Sequence, residues 1–317
     1  MESEMNLDHL PDWWTVHYGA TLLDLHAHPS LKRSLFYRAL GQRIYPSPRA
    51  FDPLAVRTNF PRLVEGGVDV LLSAVYTPEI GITESAPPLK LLKYLAPRMW
   101  HKVYGRGYAI LAHEMMDEME KQAETERDEQ DGSQWARFAH SARELEAILQ
   151  LPEAERPVAL VHSIEGGHTL EGKLENLDTF FKRGVAFITL AHFFPNEIVY
   201  PTFPWPEHLQ QFGWFEDERE LTQGLTRFGE QVVERMVELG MLIDIAHCTP
   251  PARKRIYDIV GKRAPLIASH VGAYSINPDP YNLKKWEMKR IAESGGVIGV
   301  IFMNYWLMPS ESKRGLN

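Results

Sequence analysis

The segment GLTRFGEQVVERMVELGMLIDIAH (residues 224–247) joins a helix pattern directly to a strand pattern. Apolar residues recur at 3.6-residue spacing in its first part, which predicts an amphipathic helix. These residues are Phe228, Val232, Val233, Met236 and Leu239. Thr226 is a suitable N-cap, and Gly240 stands where a glycine often ends a helix. The apolar run MLIDIAH (241–247) predicts a buried strand, so the segment encodes one helix and one strand of an α/β fold.

Six further apolar segments of the same kind are spread along the chain. They are TLLDLHAH (21–28), VDVLLSAVY (68–76), VALVHSIEGG (158–167), VAFITLAH (185–192), PLIASHVG (265–272) and GGVIGVIFM (295–303). Continuous Val, Ile and Leu runs suit parallel strands that are covered on both faces. Helical patterns separate most of them, which favours a (β/α) barrel or a doubly wound sheet. No G-x-G-x-x-G motif follows a strand and no P-loop is present, so a nucleotide-binding sheet is disfavoured.

A long segment, roughly residues 81–156, separates the second predicted strand from the third. Its charged stretch HEMMDEMEKQAETERDEQDGSQWARFAHSARELEAIL (113–149) predicts one or two helices. The simplest interpretation is a solvated face over a barrel, and a lid or a dimer contact is the alternative. No repeat or linker divides the sequence, so residues 1–317 are expected to form a single barrel domain with a helical insertion at about 81–156.

The composition excludes several classes of protein. A net charge of −8 argues against nucleic acid or an anionic membrane as the main partner. The only cysteine, Cys248, excludes an intramolecular disulfide and a cysteine-cluster zinc site, and fits a reducing compartment. The acidic start lacks the apolar core of a signal peptide, and no run approaches the ~18 apolar residues of a membrane span. A cytoplasmic protein is therefore expected.

Five of the predicted strands end in residues that can bind a metal ion. The candidates are His26 and His28, His162 and Glu165, His192, His247 and His270. In a parallel barrel the carboxyl ends of all strands meet on one face, where barrel enzymes place their active sites. Burying so many imidazoles without partners would cost several kcal/mol, about 2–7 kcal/mol for each polar group. A metal cluster would remove that cost.

The spacing of these residues supports a two-metal site. Residues i and i+2 of a strand project to the same side, so His26 and His28 can hold one ion. Glu165 precedes two glycines, which allow the backbone to turn and leave the carboxylate exposed to the ions. A carboxylate can bridge two cations, and imidazole suits zinc, iron, cobalt or nickel. Such a site would bind a bridging hydroxide and polarise a carbonyl for hydrolysis.

Other ionisable residues receive a structural interpretation. His162 lies three positions before Glu165 and is expected to face away from the mouth or to lie deeper. His168 is interpreted as a residue behind the site or at the surface, and Asp244 as a residue behind the site or an ordinary hydrogen-bonding residue. Cys248 is interpreted as a small buried apolar residue.

Several segments in the same order resemble the renal or membrane dipeptidase family, the M19 metallopeptidases. They are FPRLVEGGVDVLLSAVYTPE, VHSIEGGHTLEGKLENLDTFFKRGVAFITLAH, GLTRFGEQVVERMVELGMLIDIAH and RAPLIASHVGAYSINPDPYNLKKWEMKRIAESGGVIGVIFMNYW. The resemblance covers residues 21–80 and 158–306. It implies a (β/α)8 TIM-type barrel of the amidohydrolase superfamily that holds two divalent metal ions, zinc in that family. It also implies hydrolysis of dipeptides or, in bacterial relatives, of N-acyl or D-amino acid substrates.

The resemblance assigns roles to individual residues. Glu165 in IEGGH would be the bridging and catalytic carboxylate, and His26 would hold the first ion. The second ion would be held by His247 in IDIAH and His270 in ASH. His192 in ITLAH matches the catalytic histidine that contacts the substrate or its tetrahedral intermediate, a role consistent with oxyanion stabilisation.

The sequence departs from the family pattern at three places. The opening motif H-x-D is H-x-H here, so His28 would be a metal ligand in place of an aspartate. Tyr281, before Asn282, stands where the family has an arginine that clamps the substrate carboxylate, and is the candidate substrate-binding residue there. The eighth strand of the family carries an aspartate, whereas this sequence ends at Asn317 after its seventh predicted strand. The expected fold is therefore a (β/α)8 barrel that lacks its last strand.

The predicted function is metal-dependent cleavage of an amide or peptide bond in a dipeptide or N-acyl amino acid. The H-x-H motif and the lost arginine favour one alternative, another superfamily hydrolase such as a lactonase or deamidase. The missing strand favours a second, a barrel that binds metal or ligand without turnover. The expected partner is a small-molecule substrate, with no nucleic acid or membrane, and a homodimer is left open.

Overall fold

Parallel strands alternating with helices form the framework of the protein. The structure, a computed structural model, describes residues 12–42, 56–203, 205, 210, 213–215 and 219–307. The strands in this part of the chain are β1 (Leu23–Ala27), β2 (Val70–Tyr76), β3 (Ala136–Phe138), β4 (Val158–Glu165), β5 (Phe187–Thr189), β6 (Leu242–Asp244), β7 (Leu266–Val271) and β8 (Val297–Val300).

All of these strands belong to one sheet. Its hydrogen-bonded order is β1-β2-β4-β5-β6-β7-β8, and β3 pairs with β4 beside this path. Every pairing is parallel. The sheet curves until its first and last strands approach each other. A Cβ added to Gly299 of β8 would lie only 3.3 Å from the side chain of Leu25 in β1. The predicted TIM-type α/β barrel is confirmed, and its seven predicted strands form the path of the sheet.

Helices cover the outside of this nearly closed barrel. They are α1 (Asp12–Gly19), α2 (Pro29–Phe36), α3 (Phe60–Glu65), α4 (Ile80–Ser85), α5 (Leu92–Leu95), α6 (Pro97–Tyr104), α7 (Tyr108–Thr125), α8 (Ala142–Leu149), α9 (Leu174–Lys182), α10 (Arg227–Leu239), α11 (Pro250–Val260), α12 (Lys285–Glu293) and α13 (Asn304–Leu307). Short 3₁₀ helices span Pro87–Leu91, Glu153–Glu155 and Gly167–Leu170. Among the described residues, no helix is long and apolar enough to cross a membrane.

Helix α10 begins and ends as its sequence predicts. The Thr226 hydroxyl accepts the backbone N–H of Gly229 at 2.9 Å, and Gly240 adopts a φ of 70° that ends the helix. Val232, Val233 and Met236 are buried against the barrel.

The charged insertion contains helices and one short strand. Helix α7 buries an apolar stripe that includes Leu111, Met115 and Met119, and exposes its charged face. Strand β3 was not predicted, because three residues between charged stretches give too short a pattern to separate from a loop. The insertion therefore contributes an additional strand as well as a helical cover.

Side-chain alternation places Glu165 inside the barrel. Val70 and Leu72 of β2 pack with Ala159 and Val161 of β4 in one interior cluster. Because strand residues two apart share a face, Glu165 at the end of β4 points to the same interior as Ala159 and Val161.

The register of the sheet shifts in β1 between Asp24 and Ala27, and in β7 between Ala268 and Val271. Such irregularities often re-aim side chains next to active sites. Here Leu25 packs in the interior, and after the shift His26 also reaches the barrel mouth.

Candidate metal centre

Glu165 is the centre of a histidine cluster at the carboxyl end of the sheet. It is 2% exposed. Five imidazole Nε2 atoms of the described chain lie 3.1 to 3.3 Å from its two oxygens. His26, His247 and His270 approach Oε1, and His28 and His192 approach Oε2. These five histidines, all singled out from the sequence, therefore converge on the carboxylate at the end of β4 from the ends of four other strands.

Local backbone geometry positions several members of the cluster. Gly166 follows Glu165 with a φ of 100°, where a Cβ would lie 2.3 Å from the His168 ring. His28 lies just beyond β1 and is the N-cap residue of α2. His247 follows β6 with a φ of 63°, a left-handed conformation that is uncommon for a residue with a side chain. Such conformations concentrate at functional sites, where the surrounding structure holds them.

The cluster contains two groups of ligand atoms, each spanning less than 4.8 Å. One group is His26, His28 and Glu165, and the other is Glu165, His247 and His270. The paired Nε2 atoms are 2.9 Å apart in the first group and 2.8 Å apart in the second. The rings of His26 and His270 stack at 3.8 Å and join the two groups. Glu165 is shared, so it can bridge two ions.

A hydrogen-bond relay fixes the proton of His270. The Ser269 hydroxyl donates to Asp244 at 2.6 Å, so its oxygen must accept from His270 Nδ1 at 2.7 Å. A neutral ring with its proton on Nδ1 has a bare lone pair on Nε2. That lone pair faces Glu165 Oε1 at 3.3 Å and His247 Nε2 at 2.8 Å. Two acceptors, this lone pair and Glu165 Oε1, therefore face one another, and a cation between them would satisfy both, so these residues fit a divalent metal ion.

Burial keeps the imidazoles of His26, His192, His247 and His270 neutral, which leaves a lone pair on each ring. Burial, aided by the neighbouring His270, lowers the pKa of His26 to about 4. Burial also lowers the pKa of His192 to about 3, and that of His247 below its ordinary value. Burial alone would raise the pKa of Glu165, but the surrounding imidazoles outweigh it and hold that pKa well below its usual range. The centre is thus a carboxylate surrounded by neutral nitrogen ligands.

His192 is held from behind by a carboxylate that sequence reasoning missed. Its Nδ1 lies 3.0 Å from Glu79 Oε2, while its Nε2 lies 3.2 Å from Glu165. Glu79 is buried and also accepts the backbone N–H of Phe194 at 3.1 Å and the hydroxyl of Tyr76 at 3.3 Å. Burial raises the pKa of Glu79. The position just after β2, in YTPE, is the one sequence signal that could have indicated it.

The sequence model of the membrane dipeptidase family (Peptidase family M19) matches residues 16–314. The chain belongs to the membrane dipeptidase family. Membership of this metallopeptidase family implies binding of a divalent metal ion, and the two ligand groups around Glu165 provide the candidate site.

Curated relatives of this family match about half of the chain. Dipeptidase 3 of Macaca fascicularis is 30% identical over 166 residues, which are 52% of this chain and 32% of that protein. Dipeptidase 3 of Mus musculus is 32% identical over 143 residues, which are 45% of this chain and 27% of that protein. The chain therefore spans about a third or less of the length of these relatives.

Solved structures of a metallo peptidase and of a probable dipeptidase share the fold. A metallo peptidase from Rhodobacter sphaeroides, liganded with a phosphinate mimic of the dipeptide L-Ala-D-Ala, aligns with a TM-score of 0.64 and 19% identity over 91% of this chain and 75% of that chain. The probable dipeptidase PvdM from Pseudomonas aeruginosa aligns with a TM-score of 0.56 and 21% identity over 88% of this chain and 64% of that chain.

His162, His168 and Cys248 lie outside the ligand cluster. His162 faces away from the mouth, as expected, and its Nε2 lies 2.9 Å from Glu120 on α7. His168 is buried behind the centre, with its Nε2 2.8 Å from the Thr77 carbonyl. Cys248 is buried, and burial raises the pKa of its thiol to about 12, so it is an apolar residue in practice.

Tyr281, the candidate substrate-binding residue, lies beneath the second ligand group. Its hydroxyl donates to the backbone carbonyl of His270 at 2.8 Å, and its ring contacts that of His247 edge-on at 5.1 Å. Trp306 stacks on its other side at 4.5 Å. These contacts position two candidate metal ligands, and a direct contact between Tyr281 and substrate stays a prediction.

Proposed function

We propose that the protein is a metal-dependent hydrolase that cleaves the amide bond of a dipeptide or an N-acyl amino acid. The observation that carries the proposal is the bare Nε2 of His270, aimed at His247 and at the shared carboxylate of Glu165. Membership of the membrane dipeptidase family supports it. So does the dipeptide mimic in the Rhodobacter sphaeroides relative.

Two zinc ions are the proposed cofactors. His26 and His28 would hold one, His247 and His270 the other, and Glu165 would bridge them. Imidazole nitrogen and carboxylate oxygen are common zinc ligands. When bound, such ions polarise a carbonyl group and supply a nucleophile from water at neutral pH.

His192 is the proposed catalytic residue beside Glu165. It belongs to neither ligand group, and its Nε2 points into the same space as the ligand atoms. A substrate carbonyl oxygen placed there would lie within hydrogen-bonding reach of this nitrogen. Glu79 accepts the Nδ1 proton, so the Nε2 of neutral His192 can take up a proton from the attacking water. The protonated ring, paired with Glu79, can then stabilise negative charge on that oxygen without reorientation.

A second candidate is another hydrolase of the same superfamily, such as a lactonase or a deamidase. The position of Tyr281 favours this second candidate, because the Tyr281 hydroxyl already donates its hydrogen bond to the backbone carbonyl of His270. A neutral phenol also cannot form the bidentate ion pair with a substrate carboxylate that an arginine forms. Substrates without that carboxylate therefore belong in the first screen.

The test combines metal analysis with a substrate panel. The full chain is purified without chelator, reconstituted with zinc, and analysed for metal content. Dipeptides, N-acyl amino acids and lactones are then assayed with and without chelator. We expect close to two ions per chain and chelator-sensitive hydrolysis of a dipeptide or an N-acyl amino acid.

Matched histidine variants locate the activity. His247→Ala should lower metal content and hydrolysis together, whereas His101→Ala, which removes an exposed imidazole on α6, should change neither. A chain that takes up no metal after reconstitution, or hydrolysis unaffected by chelator, would refute the proposal. Cleavage of lactones alone would favour the second candidate.

A further inference from the structure

A cavity of about 390 Å³ lies beside the candidate metal centre. Phe193 and Phe203 line it, and each also packs against an imidazole of the centre. The Phe193 ring stacks on His192 with a centroid distance of 3.5 Å, and the Phe203 ring stacks on His247 at 5.6 Å. The cavity therefore adjoins the histidine cluster through these two rings.

Further aromatic rings line the cavity beside these two. Trp205 stacks on Phe215 at 4.2 Å and packs against Phe193 at 4.9 Å and Phe194 at 5.7 Å. All four rings line the cavity. Their mutual contacts hold the ring faces in place, so one side of the cavity offers a preformed aromatic face to a ligand.

The charged residues at the cavity do not make it a site for an ionic side chain. The Arg219 guanidinium pairs with both oxygens of Asp279 at 3.0 and 3.1 Å, so a carboxylate of the protein compensates its charge. The other charged lining residue, Glu220, is exposed to solvent. The part of the wall nearest the histidines is aromatic.

We propose that this cavity, the aromatic cavity of Phe193, Phe194, Phe203, Trp205 and Phe215, selects substrates with an aromatic or large apolar side chain next to the scissile bond. The proposal rests on the hydrolase function proposed above and names its substrate class. The volume falls within the roughly 300–1,000 Å³ range of small-ligand sites. A methyl side chain would leave the rings facing water, whereas a benzyl or indole group would cover them.

The size of the preference follows from apolar recognition. A single methylene in an apolar pocket changes kcat/KM by about 10- to 200-fold. A phenyl ring in place of a hydrogen should therefore raise kcat/KM by at least about 10-fold. Because the orientation of the substrate in the site is open, phenylalanine is tested in both positions of the dipeptide.

The experiment compares Ala-Ala with Ala-Phe and Phe-Ala on the zinc-loaded full chain. The wild type should prefer one phenylalanine substrate by at least about 10-fold. Trp205→Ala and Phe215→Ala should bring that ratio close to one, and Phe215→Leu, a milder change that protects the fold, should give an intermediate ratio. Trp286→Ala is the matched control, since Trp286 is 52% exposed on α12 and should keep the wild-type ratio.

Binding of two phosphinate dipeptide analogues, one with a methyl and one with a benzyl side chain, separates this inference from the proposed function. Tighter binding of the benzyl analogue by the wild type, lost in Trp205→Ala, supports the aromatic cavity even if no dipeptide is turned over. Equal affinities, or a wild-type substrate ratio near one, would overturn the inference. Cleavage of Ala-Ala with such a ratio would leave the proposed hydrolase function intact.

Discussion

Asp244 offers a sharp test of the centre, because it touches no metal ligand directly and yet fixes one of them. It is 0% exposed and accepts hydrogen bonds from the hydroxyls of Thr189 and Ser269, both at 2.6 Å. It also accepts the backbone N–H of Ser269 at 2.9 Å and of Ala246 at 3.1 Å. The Ser269 hydroxyl oxygen in turn accepts a hydrogen bond from His270 Nδ1.

Replacing Asp244 with asparagine keeps the shape and removes one acceptor. If the amide oxygen keeps the two backbone N–H groups, the NH₂ group faces the two hydroxyls. Ser269 then has no acceptor for its proton there, and the proton on His270 Nδ1 loses its fixed partner. Loss of a partner behind a metal ligand typically costs 10- to 100-fold in metal affinity. That range corresponds to about 1.4 to 2.8 kcal/mol for the ion held by His247 and His270.

The assay is a competition titration of zinc between the apo-protein and a chromophoric chelator. We expect Asp244→Asn to weaken one of two binding steps by about 10- to 100-fold and to leave the other close to wild type. Ser269→Ala should weaken the same step, since it removes the relay. Asp178→Asn, which breaks an outer ion pair with Arg235 on α10, is the matched control and should change neither step. Two unaltered steps in Asp244→Asn, with the fold intact by circular dichroism, would refute the relay.

Three further predictions concern residues outside the ligand set. Glu79→Gln should lower kcat by about 10- to 100-fold at unchanged metal content, because it disturbs the carboxylate behind His192; loss of metal along with activity would contradict this. Glu287→Ala should cost about 3–5 kcal/mol in urea unfolding, because it leaves the buried Arg253 guanidinium without its carboxylate, whereas the exposed Glu234→Ala should leave unfolding close to wild type; equal costs would contradict it. Burial alone would raise the pKa of Glu120, but His162 and Arg183 lower it to about 2 in the folded protein. The stability that Glu120 adds relative to Glu120→Gln should therefore be complete above the ordinary pKa of a glutamate and shrink as pH falls from 5 to 3. A difference in urea midpoint between the two proteins that stays constant over that range would argue against this prediction.

The repeating part of the fold could be predicted because local patterns encode it. Helix α10 has an N-cap residue, an apolar stripe and a terminal glycine in consecutive sequence, and each has the predicted structural role. The other seven strands lie within longer apolar runs of the sequence, which suit a covered sheet. Strand β3 has no such run around it, because its three residues lie between charged stretches and depend on pairing with β4 for their conformation. Tertiary contact decides a strand without its own sequence pattern.

The candidate ligands of the site could be singled out in the sequence for a related reason. Each is a histidine or glutamate at the carboxyl end of an apolar run, and a parallel barrel brings those ends together. Glu79 has no comparable signal, since it lies 113 residues from its partner His192 and follows an ordinary turn sequence. Only the folded chain shows that its carboxylate is buried against that imidazole.

Strand alternation by itself would give the wrong side for some of the ligands. Ser269 faces Asp244 inside the barrel, so a regular strand would turn His270 outward, yet its Nε2 lies 3.3 Å from Glu165. The register shift in β7 resolves the conflict, and the shift in β1 does the same for His26, which follows the interior Leu25. Both strands that meet at the stacked imidazoles thus depart from regular geometry at the point where a ligand must turn inward. Such a shift depends on the pairing of the strands. The sequence therefore identifies the candidate ligands, whereas only the paired sheet shows that they point at one carboxylate.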